Sequence, residues 1–145
     1  MSDAELDAFL HEQRTVICAT IDRDGAPHLM PLWYLVRDRE LWAWTYAASQ
    51  KVRNLERDPR ATLQVEDGEE YHELRGVMIE ARTEIHRETE RVAELGIELF
   101  QRYGTEATGS DFVDAVRAQA VKRVALQFVP ARIASWDHGK LGGIY

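Results

Sequence analysis

The sequence is poor in several features, and each absence narrows what the protein does. It holds one cysteine, Cys18, so no disulfide can close within the chain. The apolar run around it marks that thiol as a small buried hydrophobe rather than a reactive group. No apolar stretch approaches the roughly 20 residues that cross a bilayer as a helix, and Met1-Ser2-Asp3 opens into an acidic amphipathic segment, not a basic apolar leader. A cytoplasmic location is the expectation. No block of Lys or Arg interrupts a chain of formal net charge -7, which argues against a nucleic-acid surface, because tracking phosphates depends on clustered cations that release counterions. A bound anion has to be gripped locally. The histidines at 11, 28, 72, 86 and 138 show no paired ligand spacing, and His11-Glu12 has no second histidine one turn on, so no metal is expected. The chain also lacks a nucleophile elbow and a Walker loop, which leaves acyl transfer and nucleotide hydrolysis without local support.

What is present reads as one domain over residues 1–145, with 45% apolar and 30% charged residues, a composition ordinary for a chain that folds around a core. Ser2-Asp3-Ala4-Glu5 has the form of a capping box before a short helix with Leu6, Phe9 and Leu10 on one face. Strand-type residues run from Thr15 to Ile21, and Asp24-Gly25 signals a hairpin into a second strand over about His28 to Val36. Asp38-Arg39 makes a second turn. Leu41 to Thr45, with Trp42 and Trp44 on one face, then completes a three-stranded meander. Ser49 to Arg57 suits a short helix stopped by Asp58-Pro59, because proline disfavours helical geometry in the residue before it. Strands are expected at Arg60 to Glu66 and Glu73 to Ile85. Helices are expected over Val92 to Tyr103, ended by Gly104, and from Ser110 to about Ala118, with a loop between them. Val124, Leu126 and Phe128 alternate as a last strand up to Pro130. This order implies a mainly β, α+β domain: a closed or half-closed antiparallel barrel with peripheral helices.

The most informative local feature is Ser49-Gln50-Lys51, which sets a hydroxyl, an amide and an ammonium on a first helical turn, where free N–H groups point outward. A lysine there opposes the helix dipole by a few tenths of a kcal/mol, an arrangement that makes sense with an anion between them. Pro31 interrupts an otherwise regular strand and removes one ladder donor, as happens at an edge or at a bulge beside a ligand.

The segment Trp44-Thr45-Tyr46-Ala47-Ala48-Ser49-Gln50-Lys51-Val52-Arg53-Asn54-Leu55-Glu56-Arg57-Asp58-Pro59-Arg60 resembles the signature of the pyridoxamine 5'-phosphate oxidase-like superfamily, a strand ending in Thr, a Ser-x-Lys helix start, then Asp-Pro-Arg. The likeness extends to Asp24-Gly25-Ala26-Pro27-His28 and Gly76-Val77-Met78-Ile79-Glu80-Ala81, about half of the chain. It implies a split β-barrel of the FMN-binding kind. It further implies cofactor contacts at Met30, Pro31, Leu32 and Trp33, along the ring, and at Thr45, Ser49, Gln50, Lys51 and Asn54, around the ribityl chain and phosphate, with Arg75 and Gly76 added. Gln50 stands where the family usually carries arginine, a loss that Arg53 or Arg75 would make good.

The tail after Pro130 lacks the Arg-x-His segment that holds substrate in pyridoxamine phosphate oxidases, so vitamin B6 oxidation is not implied. The Lys-x-x-Asn-Leu-x-x-Asp-Pro-Arg run and the closing Ser135-Trp136-Asp137-His138 are instead similar to the branch that uses coenzyme F420, an 8-hydroxy-5-deazaflavin. The resemblance implies a homodimeric oxidoreductase with its cofactor site at the subunit interface, passing a hydride from reduced F420 to a conjugated small molecule. FMN on the same scaffold is the alternative cofactor. A non-catalytic protein binding a flavin, a deazaflavin or a haem-derived ligand is the alternative of another class. The residues name no catalytic acid, and the stretch from Trp136 to Tyr145 reads either as a flap over a cofactor or as a strand with a frayed end.

Overall fold

The computed structural model describes residues 1–104 and 109–143. The loop expected between the last two helices falls largely on 105–108, and Ile144 and Tyr145 close the tail; these lie outside the described residues. Ser2 and Glu5 form the expected capping box, with the Ser2 N–H donating to Glu5 Oε2 at 2.6 Å and the Glu5 N–H to Ser2 Oγ at 3.3 Å. That box starts helix α1 (Asp3–Glu12), which buries Leu6, Phe9 and Leu10.

Strands β1 (Val16–Ile21), β2 (Pro27–Leu32), β3 (Leu35–Arg37), β4 (Glu40–Tyr46), β5 (Arg60–Asp67), β6 (Arg75–His86) and β7 (Arg123–Asp137) form one antiparallel sheet in the order β2-β1-β5-β6-β7-β4-β3. The sheet curls into a half-barrel. Its inner face carries Val16, Leu63, Ile79, Leu126 and Phe128 against α1 and against Val52 and Leu55 of helix α2 (Gln50–Arg57). Its outer face packs Trp42 and Ala125 beneath helix α3 (Thr89–Arg102), which contributes Val92, Leu95 and Leu99. Helix α4 (Ser110–Ala120) lies beside α3. Trp44 belongs to this outer layer, and only a glycine at 96 leaves room for it, since a Cβ there would sit 2.4 Å from the indole. No helix among the described residues is long and apolar enough to cross a membrane.

Two sequence expectations change. The strand expected over His28 to Val36 is two strands at opposite edges of the sheet, so no three-stranded meander forms: β2 pairs only with β1, and β3 pairs with β4. The break falls at Trp33-Tyr34, because side chains capture the Tyr34 backbone before a ladder can. Its N–H donates to Tyr103 Oη at 3.0 Å, and Arg102 donates to its carbonyl. The last strand does not stop at Pro130 but runs on to Asp137. Ala81 pairs with Pro130 and Glu80 with Arg132, which leaves Ala131 as the extra residue of a bulge that absorbs the proline.

Trp136 and Asp137 complete β7, and His138–Leu141 form a 3-10 turn against a second such turn at Tyr71–Glu73.

Candidate functional site

The site grows out of the junction between β4 and α2. Strand β4 delivers Thr45 to the inner face. The chain then turns over Tyr46 to Ser49, with the Ser49 N–H donating to the Tyr46 carbonyl at 3.0 Å. Lys51 and Leu55, four residues apart, share the face that α2 turns inward. Lys51 is therefore drawn in until 7% of it is exposed, and its Nζ donates to Thr45 Oγ1 at 2.9 Å. No ion pair to it forms among the described residues. Burial pulls its pKa below the ordinary 10.5, the direction expected of an ammonium without a counterion, and Cys18 lies close enough to offset part of that shift.

Ser49 occupies the cap position, yet its hydroxyl caps nothing. Its Oγ is buried without a hydrogen-bond partner, although a serine there ordinarily accepts from the second or third N–H of the helix. A buried hydroxyl left unpaired costs about 1–3 kcal/mol. Asn54, fully buried, is in contrast completely used. It donates to Thr20 Oγ1 (3.1 Å) and Asp22 Oδ1 (2.8 Å), and its own Oδ1 accepts from Gln50 (2.9 Å) and Arg57 (3.2 Å). Gln50 and Asn54 thus rivet α2 onto β1. Arg53 is exposed.

Strand β2 flanks the same stretch of β1. His28 pairs with Thr20, Met30 with Cys18 and Leu32 with Val16, so these three share the inner face, while Pro31 points away. That face is incompletely covered, since Met30 is 43% exposed. Trp33, just past the strand, is 49% exposed and stacks on Tyr103 with ring centroids 4.3 Å apart. The structure thereby sets Met30 and Leu32 beside the strand that α2 covers with Lys51 and Asn54. One residue on this face was not foreseen. His28 has a buried Nδ1 with no partner, and the signal was its alternation with Met30 and Leu32 along a strand whose start is set by Pro27.

Arg75 and Gly76 are not brought to this corner within the protomer. They pair with Asp67 and Glu66, three to four ladder positions beyond Leu63, which pairs with Cys18 of β1. Arg75 already holds two carboxylates, Glu12 at 2.9 Å and Asp67 at 2.7 Å. Gly76 makes room for Trp136, whose ring a Cβ would meet at 2.3 Å.

The free groups around the start of α2 are donors: a buried ammonium, an unpaired hydroxyl and the first-turn N–H groups. That set suits a phosphate ester, whose oxygens only accept.

Comparison with known proteins identifies chains that share this fold. A crystal structure of a conserved hypothetical protein, Rv2991 from Mycobacterium tuberculosis, superimposes with a TM-score of 0.91 at 43% identity, covering 100% of this chain and 90% of that one. An F420 reductase aligns with a TM-score of 0.72 at 20% identity, over 88% of this chain and 94% of its own. The heme storage protein HutZ from Vibrio cholerae aligns with a TM-score of 0.71 at 16% identity, over 93% of each chain. The last two share the fold. No curated protein matches the sequence. The model of the family described as pyridoxamine 5'-phosphate oxidase matches residues 2–137, nearly the whole half-barrel, and the chain belongs to that family.

Proposed function

We propose that the protein is an oxidoreductase that holds coenzyme F420 between β2 and the first turn of α2 and serves the reduction of a conjugated small molecule. The observation that carries this reading is the pairing of a buried lysine that lacks a counterion with a buried serine hydroxyl that lacks any partner, both at one helix start. Lys51 and Ser49 take the phosphate, Thr45 holds the Lys51 amine in place, and Met30 to Trp33 lie along the ring. When bound in its reduced form, F420 supplies the hydride. The protein's part is orientation and exclusion of water.

The exposed edge of β2, with Leu29, Met30 and Trp33, is the surface that a second copy covers in a homodimer, closing the site. Light scattering that returns a monomer removes this element of the reading. FMN carries a phosphate on a comparable chain, so the same grip serves it, and an experiment decides between them. Titration of the purified protein with oxidised F420 and separately with FMN, followed by tryptophan fluorescence, is expected to give micromolar or tighter F420 binding and weaker FMN binding. The reverse order makes the protein FMN-dependent. Binding of neither removes the redox reading.

A further inference from the structure

The side chains of Arg14, Arg23, Arg53, Arg82 and Arg123 make neither an ion pair nor a hydrogen bond among the described residues, and the first four are exposed. Arg123 is half-buried. Its Nε is shut from water without a partner, and its guanidinium is clamped between the rings of Trp44 (4.5 Å) and Tyr46 (4.1 Å). Trp44 is fixed in turn by α3, whose Gly96 leaves no space for a Cβ against the indole. The clamp engages the faces of the guanidinium and leaves its in-plane donors, those that pair with a carboxylate, without an acceptor. The surroundings are cationic in a chain of net charge -7. Residues 41–55 and 115–128, which meet through the β4–β7 ladder, hold Lys51, Arg53, Arg117, Lys122 and Arg123 but no Asp or Glu. Among the described residues only Arg117 of these has a carboxylate, Glu90 at 3.3 Å. The corner adjoins the start of α2. The Ser49 N–H closes a turn on the Tyr46 carbonyl, which holds their Cα atoms within about 7 Å, and Tyr46 is the ladder partner of Arg123, about 5 Å away. Strand β4 ends at Tyr46, so a ligand gripped at the start of α2 rounds that end to reach the outer side, where Tyr46 is 55% exposed.

We propose that Arg123 is a carboxylate-binding residue, set beside the phosphate grip and separate from it. The planar fork of an arginine takes two carboxylate oxygens side by side, and because the clamp has already fixed its orientation, little side-chain freedom is lost on binding. Two sources supply such a group. One is the ligand at α2 itself, and here the inference rests on the cofactor reading: F420 carries glutamyl carboxylates beyond its phosphate, whereas FMN ends at the phosphate. The other is a free small carboxylate, which needs no cofactor.

The test titrates the full-length wild type, Arg123→Gln and Arg123→Lys with F420, with FMN and, as a bare carboxylate probe, with γ-glutamylglutamate, and records the thermal stability of each variant without ligand. Arg123→Gln keeps a planar amide between the rings and loses the charge; it is expected to weaken F420 about tenfold and to leave FMN within about twofold, with Arg123→Lys between wild type and Gln. That pattern assigns the carboxylate to the cofactor. F420 affinity unchanged, with dipeptide binding to wild type and not to Arg123→Gln, assigns the site to a free carboxylate. Equal weakening of F420 and FMN overturns the inference, because it makes Arg123 a prop of the turn. So does indifference of both F420 and dipeptide binding to Arg123→Gln. In parallel, the Nε–H resonance of Arg123 is followed by NMR as the dipeptide is added to the ligand-free wild type, which needs no variant to fold. A shift there supports the inference even if neither cofactor binds, in which case only the cofactor reading falls. No shift at saturating dipeptide, with neither cofactor binding, overturns both.

Discussion

Two polar clusters line the half-barrel, and they differ in whether their donors are spent. At the corner where α1, the Trp33-Tyr34 break and the end of α3 meet, Arg102 donates to Leu10 O (3.1 Å), His11 O (3.3 Å) and Gln13 O (2.8 Å) as well as to Tyr34 O. The Tyr34 hydroxyl, whose pKa burial pushes up to about 12, stays protonated and donates to Leu10 O at 2.7 Å. Two of the last carbonyls of α1, those of Leu10 and His11, which a helix end leaves without partners of its own, are thereby satisfied. At the α2 corner, by contrast, Ser49 Oγ and His28 Nδ1 are buried without partners, and the Lys51 ammonium has Thr45 but no counterion. A satisfied cluster stabilises a fold, and an open one costs stability until a ligand arrives. The distinction separates a structural lock from a binding site more sharply than residue type does.

The largest expected effect falls on the lock. Arg102→Ala removes a charge-assisted hub serving several carbonyls and should lower unfolding stability by about 2–4 kcal/mol in urea denaturation. Cofactor affinity measured well below the melting temperature should not change. A loss under about 1 kcal/mol would mean that water replaces the guanidinium without penalty, and the comparison would lose its first half.

Lys51→Met tests the second half, because the two readouts should move in opposite directions. Cofactor binding is expected to weaken by about 1–3 kcal/mol, roughly five- to 150-fold, with loss of the charge-assisted contact. The ligand-free protein should melt higher, since an apolar side chain replaces a buried ammonium without a counterion. The pH dependence carries a definite sign. Burial lowers the pKa of Lys51 in the folded state below its ordinary 10.5, so between those two values the unfolded chain binds more protons, and wild-type stability rises with pH. Below the folded value the penalty is present in full. Lys51→Met abolishes this rise. A variant less stable than wild type without ligand would show that Thr45 compensates the amine.

How much of this was legible before the structure depends on the range of each interaction. The capping box at Ser2 and Glu5, the stop at Asp58-Pro59 and the Ser-x-Lys helix start are written in residues a few positions apart, and they were readable. Trp42 and Trp44 were correctly set on one face. The break at Trp33-Tyr34 was not readable, because Arg102 and Tyr103, which cause it, are about 70 positions away. Pro130 read as a terminator because the bulge that absorbs it depends on the register against Glu80 and Ala81. His28 escaped for a related reason, since nothing local distinguishes a strand histidine with an unpaired nitrogen from one that has a partner.

Ser49→Ala should have a smaller effect than Lys51→Met, because a neutral hydrogen bond contributes about 0.5–1.5 kcal/mol net. Calorimetric titration is expected to show cofactor affinity reduced about three- to tenfold. Stability without ligand should be unchanged or slightly higher, since the hydroxyl removed makes no hydrogen bond. A loss of stability without ligand instead would mean that Ser49 acts as an ordinary helix cap, contrary to the open corner.

The smallest effect is expected at Arg75, and it bears on the comparison from outside. By residue type Arg75 is as good a phosphate ligand as Lys51, with a planar fork of donors suited to paired oxygens. Its donors are spent, however, on Glu12 and Asp67, which together raise its pKa and hold the end of α1 to the β5–β6 hairpin. Transferring it to a phosphate requires breaking both pairs, and the Asp67 carboxylate would repel the incoming anion. Arg75→Gln is therefore expected to leave cofactor affinity within about twofold and to cost at most about 1 kcal/mol of stability, because the pairs lie near the surface and are screened. A tenfold loss of affinity would have a specific meaning. The β5–β6 end of one protomer would then have to reach the α2 corner of its partner, and Arg75 would count among the donors of a site shared between subunits.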